Sequence, residues 1–143
     1  MLSKSTIVRF IQSAAPPLSR VAPGLAARLL ERLFTTPLRY ATPEREKSWI
    51  ATAKRSAMRF DHDRSLALYT WGAGPTILLV HGWAGRGSQL AVLAKPLVER
   101  GFRVVAFDAP AHGLSDGKRS SLPEFATAVQ RVAAHVGRVH GII

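Results

Sequence analysis

Ser115 is the first residue to test for chemistry, because Gly113-Leu114-Ser115-Asp116-Gly117 fits the G-x-S-x-G pattern of a serine nucleophile. Such a serine works from a tight turn directly between a strand and a helix, which lifts its hydroxyl clear of the sheet. Here Pro110 and His112 separate Ser115 from the preceding apolar run, and Lys118-Arg119-Ser120 delay the next helical pattern. That context argues against Ser115 as the nucleophile. Gly82 and Gly87 have the spacing of a phosphate-binding loop, but Ser88-Gln89 stand where that loop needs Lys and then Ser or Thr. Nucleotide binding is therefore not expected. The five histidines show no i, i+4 pairing with a carboxylate on one helix, so no metal site is expected; no cofactor is expected. With no cysteine, disulfides, thiolate zinc sites, iron–sulfur clusters and cysteine nucleophiles are excluded.

The segments that position these residues alternate in period. Thr76 to Val80 is an unbroken β-rich run, as a strand buried on both faces would be, and it leads into the polar loop His81 to Gly87. A helical pattern follows, with Leu90, Leu93, Leu97 and Val98 on one face, Pro96 set to bend or divide it, and Gly101 as its stop. Phe102 to Phe107 reads as the next strand and leads into the loop Asp108 to Gly117. Ser121-Leu122-Pro123-Glu124 has capping-box spacing ahead of the stripe Phe125, Val129, Val132, Ala133 and Val136. Val139 to Ile143 opens a further apolar run. Upstream, Phe60 and Leu66 to Trp71, around Asp61-His62-Asp63-Arg64, predict a hairpin. Strands alternating with crossover helices imply a parallel sheet covered on both faces, with ligands at the carboxyl ends of the strands. The loops at His81 and Asp108 occupy those ends.

The chain has 143 residues and a formal net charge of +11, and the charge is uneven: residues 1–60 carry +8 and residues 61–143 carry +3. No stretch approaches the roughly 20 apolar residues of a membrane span, because Arg9, Arg20, Arg28 and Arg32 interrupt the N-terminal part. Thr6 to Ile11 is broken by Arg9 and lacks the continuous core of a secretory signal, so a cytoplasmic location is expected. The acid-free first thirty residues weakly resemble a transit peptide or an interfacial helix. Pro16, Pro17, Pro23 and Gly24 predict a loose beginning, followed by an amphipathic helix with Leu25, Leu29, Leu30, Leu33 and Phe34. A second short helix, capped by Thr42 and opened by Pro43, carries Trp49, Ile50 and Ala53.

Leu78-Leu79-Val80-His81-Gly82-Trp83, followed after an intervening helix by Phe107-Asp108-Ala109-Pro110-Ala111-His112-Gly113-Leu114-Ser115, resembles the N-terminal part of an α/β-hydrolase. The resemblance covers Met58 to Ile143. It departs from the family's D-x-P-G-H-G-x-S pattern at Ala111, where the family usually has glycine. It implies that the backbone N–H of Trp83 lines an oxyanion hole, with the indole as a pocket wall. Fixed donors of this kind are each worth about 3–4 kcal/mol in the barrier of acyl transfer. His81, Gly82, Asp108, His112 and Gly113 then shape the site, the two histidines bracing loops rather than acting as a general base.

Two regions are expected: a basic, mainly helical extension over residues 1–57, and an incomplete α/β-hydrolase domain over residues 58–143 that ends before the nucleophile. The resemblance implies a serine-type hydrolase, esterase-, lipase- or thioesterase-like, acting on a small-molecule ester or thioester. The triad's nucleophile, acid and histidine are expected after Ile143, so the chain alone is expected to be inactive. The alternative is a non-catalytic module whose basic arm binds anionic membrane or nucleic acid. The arm lacks the interleaving of aromatic and basic residues that stacks bases, so no specific nucleic acid is expected. The arm is expected to pack on the hydrolase body rather than to make peripheral membrane contact.

Overall fold

The computed structural model describes residues 4–143, so the first three residues of the basic arm lie outside the described residues. The chain forms two compact units, Met1–Thr35 and Thr36–Ile143. The expected boundary at residue 57 falls inside a strand, and the residues just before that strand belong to the larger unit.

The smaller unit is a pair of packed helices, α1 (Lys4–Val21) and α2 (Pro23–Phe34). Pro16 and Pro17 lie inside α1, where the sequence predicts a loose segment. Each proline removes the N–H that would pair with a carbonyl one turn back, at Gln12 and Ser13. What the continuous helix gains is apolar contact: Ala14, Ala15 and Leu18 face Ala26, Leu29 and Leu30 across a cavity of about 130 Å³.

In the larger unit, α3 (Glu44–Ile50) precedes a five-stranded sheet of β1 (Lys54–Arg59), β2 (Ser65–Trp71), β3 (Thr76–Leu79), β4 (Arg103–Phe107) and β5 (Val139–Ile142). Pro43 occupies the N-cap of α3 and makes no side-chain cap, so the predicted Thr42 cap is displaced by one residue. The spatial order is β1-β2-β4-β3-β5, with β1 and β2 antiparallel additions to a parallel core. Gly87–Leu93 winds as a 3₁₀-helix before α4 (Ala94–Val98), so the helix expected between β3 and β4 is divided. Pro96 sits inside α4, close enough to its start that the missing N–H is one the helix would not have used. Helix α5 (Leu122–Val136) begins where Ser121 Oγ accepts from the Glu124 N–H and ends at Gly137.

Period-2 alternation divides the core between the two faces of the sheet. Leu66, Leu68, Leu78, Val105 and Phe107 pack with Ala128 and Val132 of α5 on one face. Tyr69, Trp71, Ile77, Leu79, Val104 and Ala106 pack with Ile50, Ala91 and Ala94 on the other. Both faces of β3 and β4 are buried, which is why their sequences read as continuous apolar runs.

On the second face lies a buried ion pair without local sequence signal. Arg86 Nε and Nη2 donate to the two carboxylate oxygens of Glu46 in α3, at 2.8 and 2.7 Å, and Ser88 Oγ donates to the same carboxylate at 2.7 Å. Burial alone raises the Glu46 carboxyl, but the hydrogen bonds from Arg86 and Ser88 and the guanidinium charge outweigh it and hold it below its ordinary value. Losing one partner strands the other charge in the interior, at a cost of about 3–5 kcal/mol. Glu46→Ala should therefore lower the unfolding free energy by that amount in urea titration. Lys47→Ala, which breaks the exposed contact with Glu44, should change it by less than about 0.5 kcal/mol.

Candidate active-site loops

Strands β3 and β4 are parallel neighbours, so the segments that leave their carboxyl ends emerge side by side. His81, Gly82 and Trp83 follow β3, and Asp108 to Gly117 follow β4. Trp83 is half-buried in a turn just beyond β3, outside the strand pairings of the described residues. Its indole meets the His112 ring edge-on, with centroids 5.1 Å apart.

The two histidines form a reciprocal brace. His81, from the first loop, accepts the Ala109 N–H of the second loop at Nε2, at 3.0 Å. His112, from the second loop, accepts the Ala84 N–H of the first at Nε2, at 3.1 Å. Each ring's Nδ1 lies 2.8 Å from a carbonyl oxygen, Gly82 O for His81 and Pro110 O for His112. Only the neutral ring with its proton on Nδ1 satisfies both contacts, donating to the carbonyl and accepting from the amide. Phe125 stacks edge-on against both rings. Burial, the largest influence, lowers the pKa of each histidine below its ordinary value; the Gly82 and Pro110 carbonyls oppose it. All four ring nitrogens are thus engaged with backbone groups of the two loops.

Asp108 joins three elements. Its Oδ1 accepts the Gly87 N–H at 2.6 Å, and its Oδ2 accepts the Tyr69 hydroxyl at 3.0 Å and the Leu114 N–H at 2.8 Å. Burial and the Asp108 charge push the Tyr69 phenol up, so Tyr69 stays a donor. Gly113 explains its own identity: at φ +46°, a Cβ there would lie 2.3 Å from the Asp108 carboxylate. Ala111 holds φ +65° with its methyl buried, a left-handed conformation that costs a non-glycine residue roughly 1–2 kcal/mol. The glycine usual at this point of the family's pattern would avoid that strain. Arg39 compensates by clamping the loop, with Nε donating to Ala111 O at 3.0 Å and Nη2 donating to the carbonyls of Ser115 and Gly117.

Ser115 is placed as the sequence context argued. Its hydroxyl donates to the Asp108 carbonyl and accepts the Ala67 N–H at 2.9 Å, and the residue is 1% exposed. These two bonds fasten the loop to the sheet. Sequence reasoning missed Arg39 and Tyr69, whose partners lie far along the chain; the sequence places Tyr69 only in a predicted strand, and nothing local marked Arg39.

Residues 73–141 match the family model described as serine aminopeptidase, S33. A non-heme haloperoxidase from Rhodococcus erythropolis is 35% identical over 69 residues, which are 47% of this chain and 25% of that one. Among solved structures, the thioesterase domain from the curacin biosynthetic pathway aligns with a TM-score of 0.54 and 27% identity, over 58% of this chain and 33% of that one. An epoxide hydrolase from Vigna radiata aligns with a TM-score of 0.57 at 17% identity, over 64% and 32%, a likeness of fold. The larger unit has the fold of the N-terminal part of an α/β-hydrolase, and residues 73–141 are similar to that family. The chain spans a quarter of the length of the curated relative and about a third of these solved structures.

Two outcomes test the loop geometry. In the unfolded chain both imidazoles titrate near about 6.5, and in the fold they titrate lower, so below that pH the unfolded state binds more protons. Stability should be level above about pH 7 and should fall as pH drops through 6.5, by up to about 1.4 kcal/mol per pH unit for each histidine. The slope ends once the folded values are passed. Urea midpoints between pH 8 and 4.5, with NMR titration of both rings, check this. Gly113→Ala, forced against the Asp108 carboxylate at a positive φ, should cost more than about 2 kcal/mol, whereas Gly82→Ala, with open space around its Cβ position, should cost less than about 1 kcal/mol.

Proposed function

We propose that these residues are the oxyanion-hole part of a serine-type hydrolase acting on a small acyl substrate, an ester or thioester. The observation that carries the reading is the pair of loops fixed side by side at the carboxyl ends of β3 and β4, with Trp83 in the turn that faces the second loop. A carbonyl bound there would develop negative charge as a nucleophile attacks it, and the Trp83 N–H would donate to that oxygen. The likeness to a thioesterase domain supports an acyl substrate. The half-buried indole forms one wall of the pocket and leaves the chemistry to the backbone.

The nucleophile, acid and base of the reaction lie outside these residues in this reading. Ser115 has spent its hydroxyl on Asp108 O and the Ala67 N–H, and His81 and His112 have no free ring nitrogen. Turnover of p-nitrophenyl acetate and butyrate by the 143-residue chain should stay at background. Joined to the further 120–150 residues or so that complete a domain of ordinary size, the chain should turn these esters over. There Trp83→Ala should retain most activity, while Trp83→Pro, which removes the N–H, should lower kcat by about 10²–10³. Turnover by the 143-residue chain that Ser115→Ala abolishes would overturn the assignment.

A further inference from the structure

Helix α2 presents more apolar surface than α1 covers. At 100° per residue, Leu25, Leu29, Leu33, Ala26, Leu30 and Phe34 fall on one half of its circumference, and Arg28, Glu31 and Arg32 fall on the other. Ala26, at the centre of the apolar half, is buried, but Leu25, Leu29, Leu30 and Leu33 are each about half exposed and Val21, at the end of α1, is 87% exposed. Residues 1–35 carry Lys4, Arg9, Arg20, Arg28 and Arg32 against Glu31 alone, a net +4. Arg28 and Arg32 lie next to the Leu25 edge of the apolar half, where a long side chain can bury its stem and keep its charge in water.

A row of exposed leucines bordered by arginines has no use on a phosphate backbone, which rewards charge and stacking. It matches the two-sided chemistry of an anionic bilayer surface, apolar a few ångströms below a negatively charged headgroup layer. We propose that the α1–α2 unit is an interfacial module that lays the exposed edge of α2, led by Leu25 and Leu29, into the surface of an anionic lipid bilayer, with the neighbouring arginines at headgroup level. Neither helix is a span: among the described residues no helix is long and apolar enough to cross a membrane. The attachment is peripheral and depends on both charge and apolar burial.

The test is sedimentation of the 143-residue chain with vesicles of phosphatidylcholine alone and of phosphatidylcholine with 30% phosphatidylglycerol, the latter composition chosen to be about as anionic as a charged leaflet. The chain should bind the anionic vesicles and bind the neutral ones far more weakly. Arg28→Gln with Arg32→Gln should weaken anionic binding about 25-fold, about fivefold for each charge. Leu29→Glu with Leu33→Glu should abolish it even at low salt, and the milder Leu25→Gln with Leu29→Gln should weaken it, at unchanged far-UV circular dichroism. Undiminished binding by both leucine variants would overturn the proposal, because attraction would then be charge alone. So would failure of the unaltered chain to bind anionic vesicles, whether it instead stays on duplex DNA or forms a dimer that the leucine variants dissolve.

Discussion

The buried Asp108 carboxylate ties three segments of the chain to one point. It sits where β4 ends, and its oxygens take up donors from β2, from the start of the 3₁₀-helix and from the far side of its own loop. Removing a charged group from water is costly unless its hydrogen bonds are replaced, so the requirement to satisfy this carboxylate dictates much of its surroundings. Gly87 must expose its N–H at one place. Tyr69 must remain a phenol. Gly113 must have no side chain, because the space a methyl would take is already filled by oxygen.

The histidine brace complements this anchor. Asp108 fixes the second loop to the sheet, and the crossed bonds of His81 and His112 fix the first loop to the second. Both devices act on backbone N–H groups, so what they secure is the path of the main chain. A site whose donor is an amide rather than a side chain needs that kind of support, because an amide can be aimed only by holding the peptide planes around it.

Much of this was legible in the residues. The continuous apolar runs of β3 and β4, the capping serine of α5, the glycine stops at Gly101 and Gly137 and the two loop motifs all carry local signals, and each appears in the structure close to its expected place. The interactions that escaped are those between distant positions. Arg39 reaches carbonyls more than seventy residues away, and Glu46 meets Arg86 forty residues on; at both ends the sequence shows only an ordinary charged residue. The prolines of α1 misled for a related reason, since local propensity predicts a break and packing against α2 keeps the helix whole. The boundary at residue 57 misplaced α3, because the motifs begin later than the unit they belong to.

The Glu46–Arg86 pair has a consequence for how sequences of this kind can change over time. Either residue replaced alone leaves a lone charge in the interior, and the pair replaced together by apolar residues of similar size can be as stable as the original. The two positions are separated by the hairpin and by β3, yet an ancestor and a descendant that differ at both must, one substitution at a time, pass through a poorly folded intermediate. Helix α3 and the loop after β3 are in that sense inherited as one character. Exchanging α3 between relatives without its loop should fail more often than its surface position and unremarkable composition suggest.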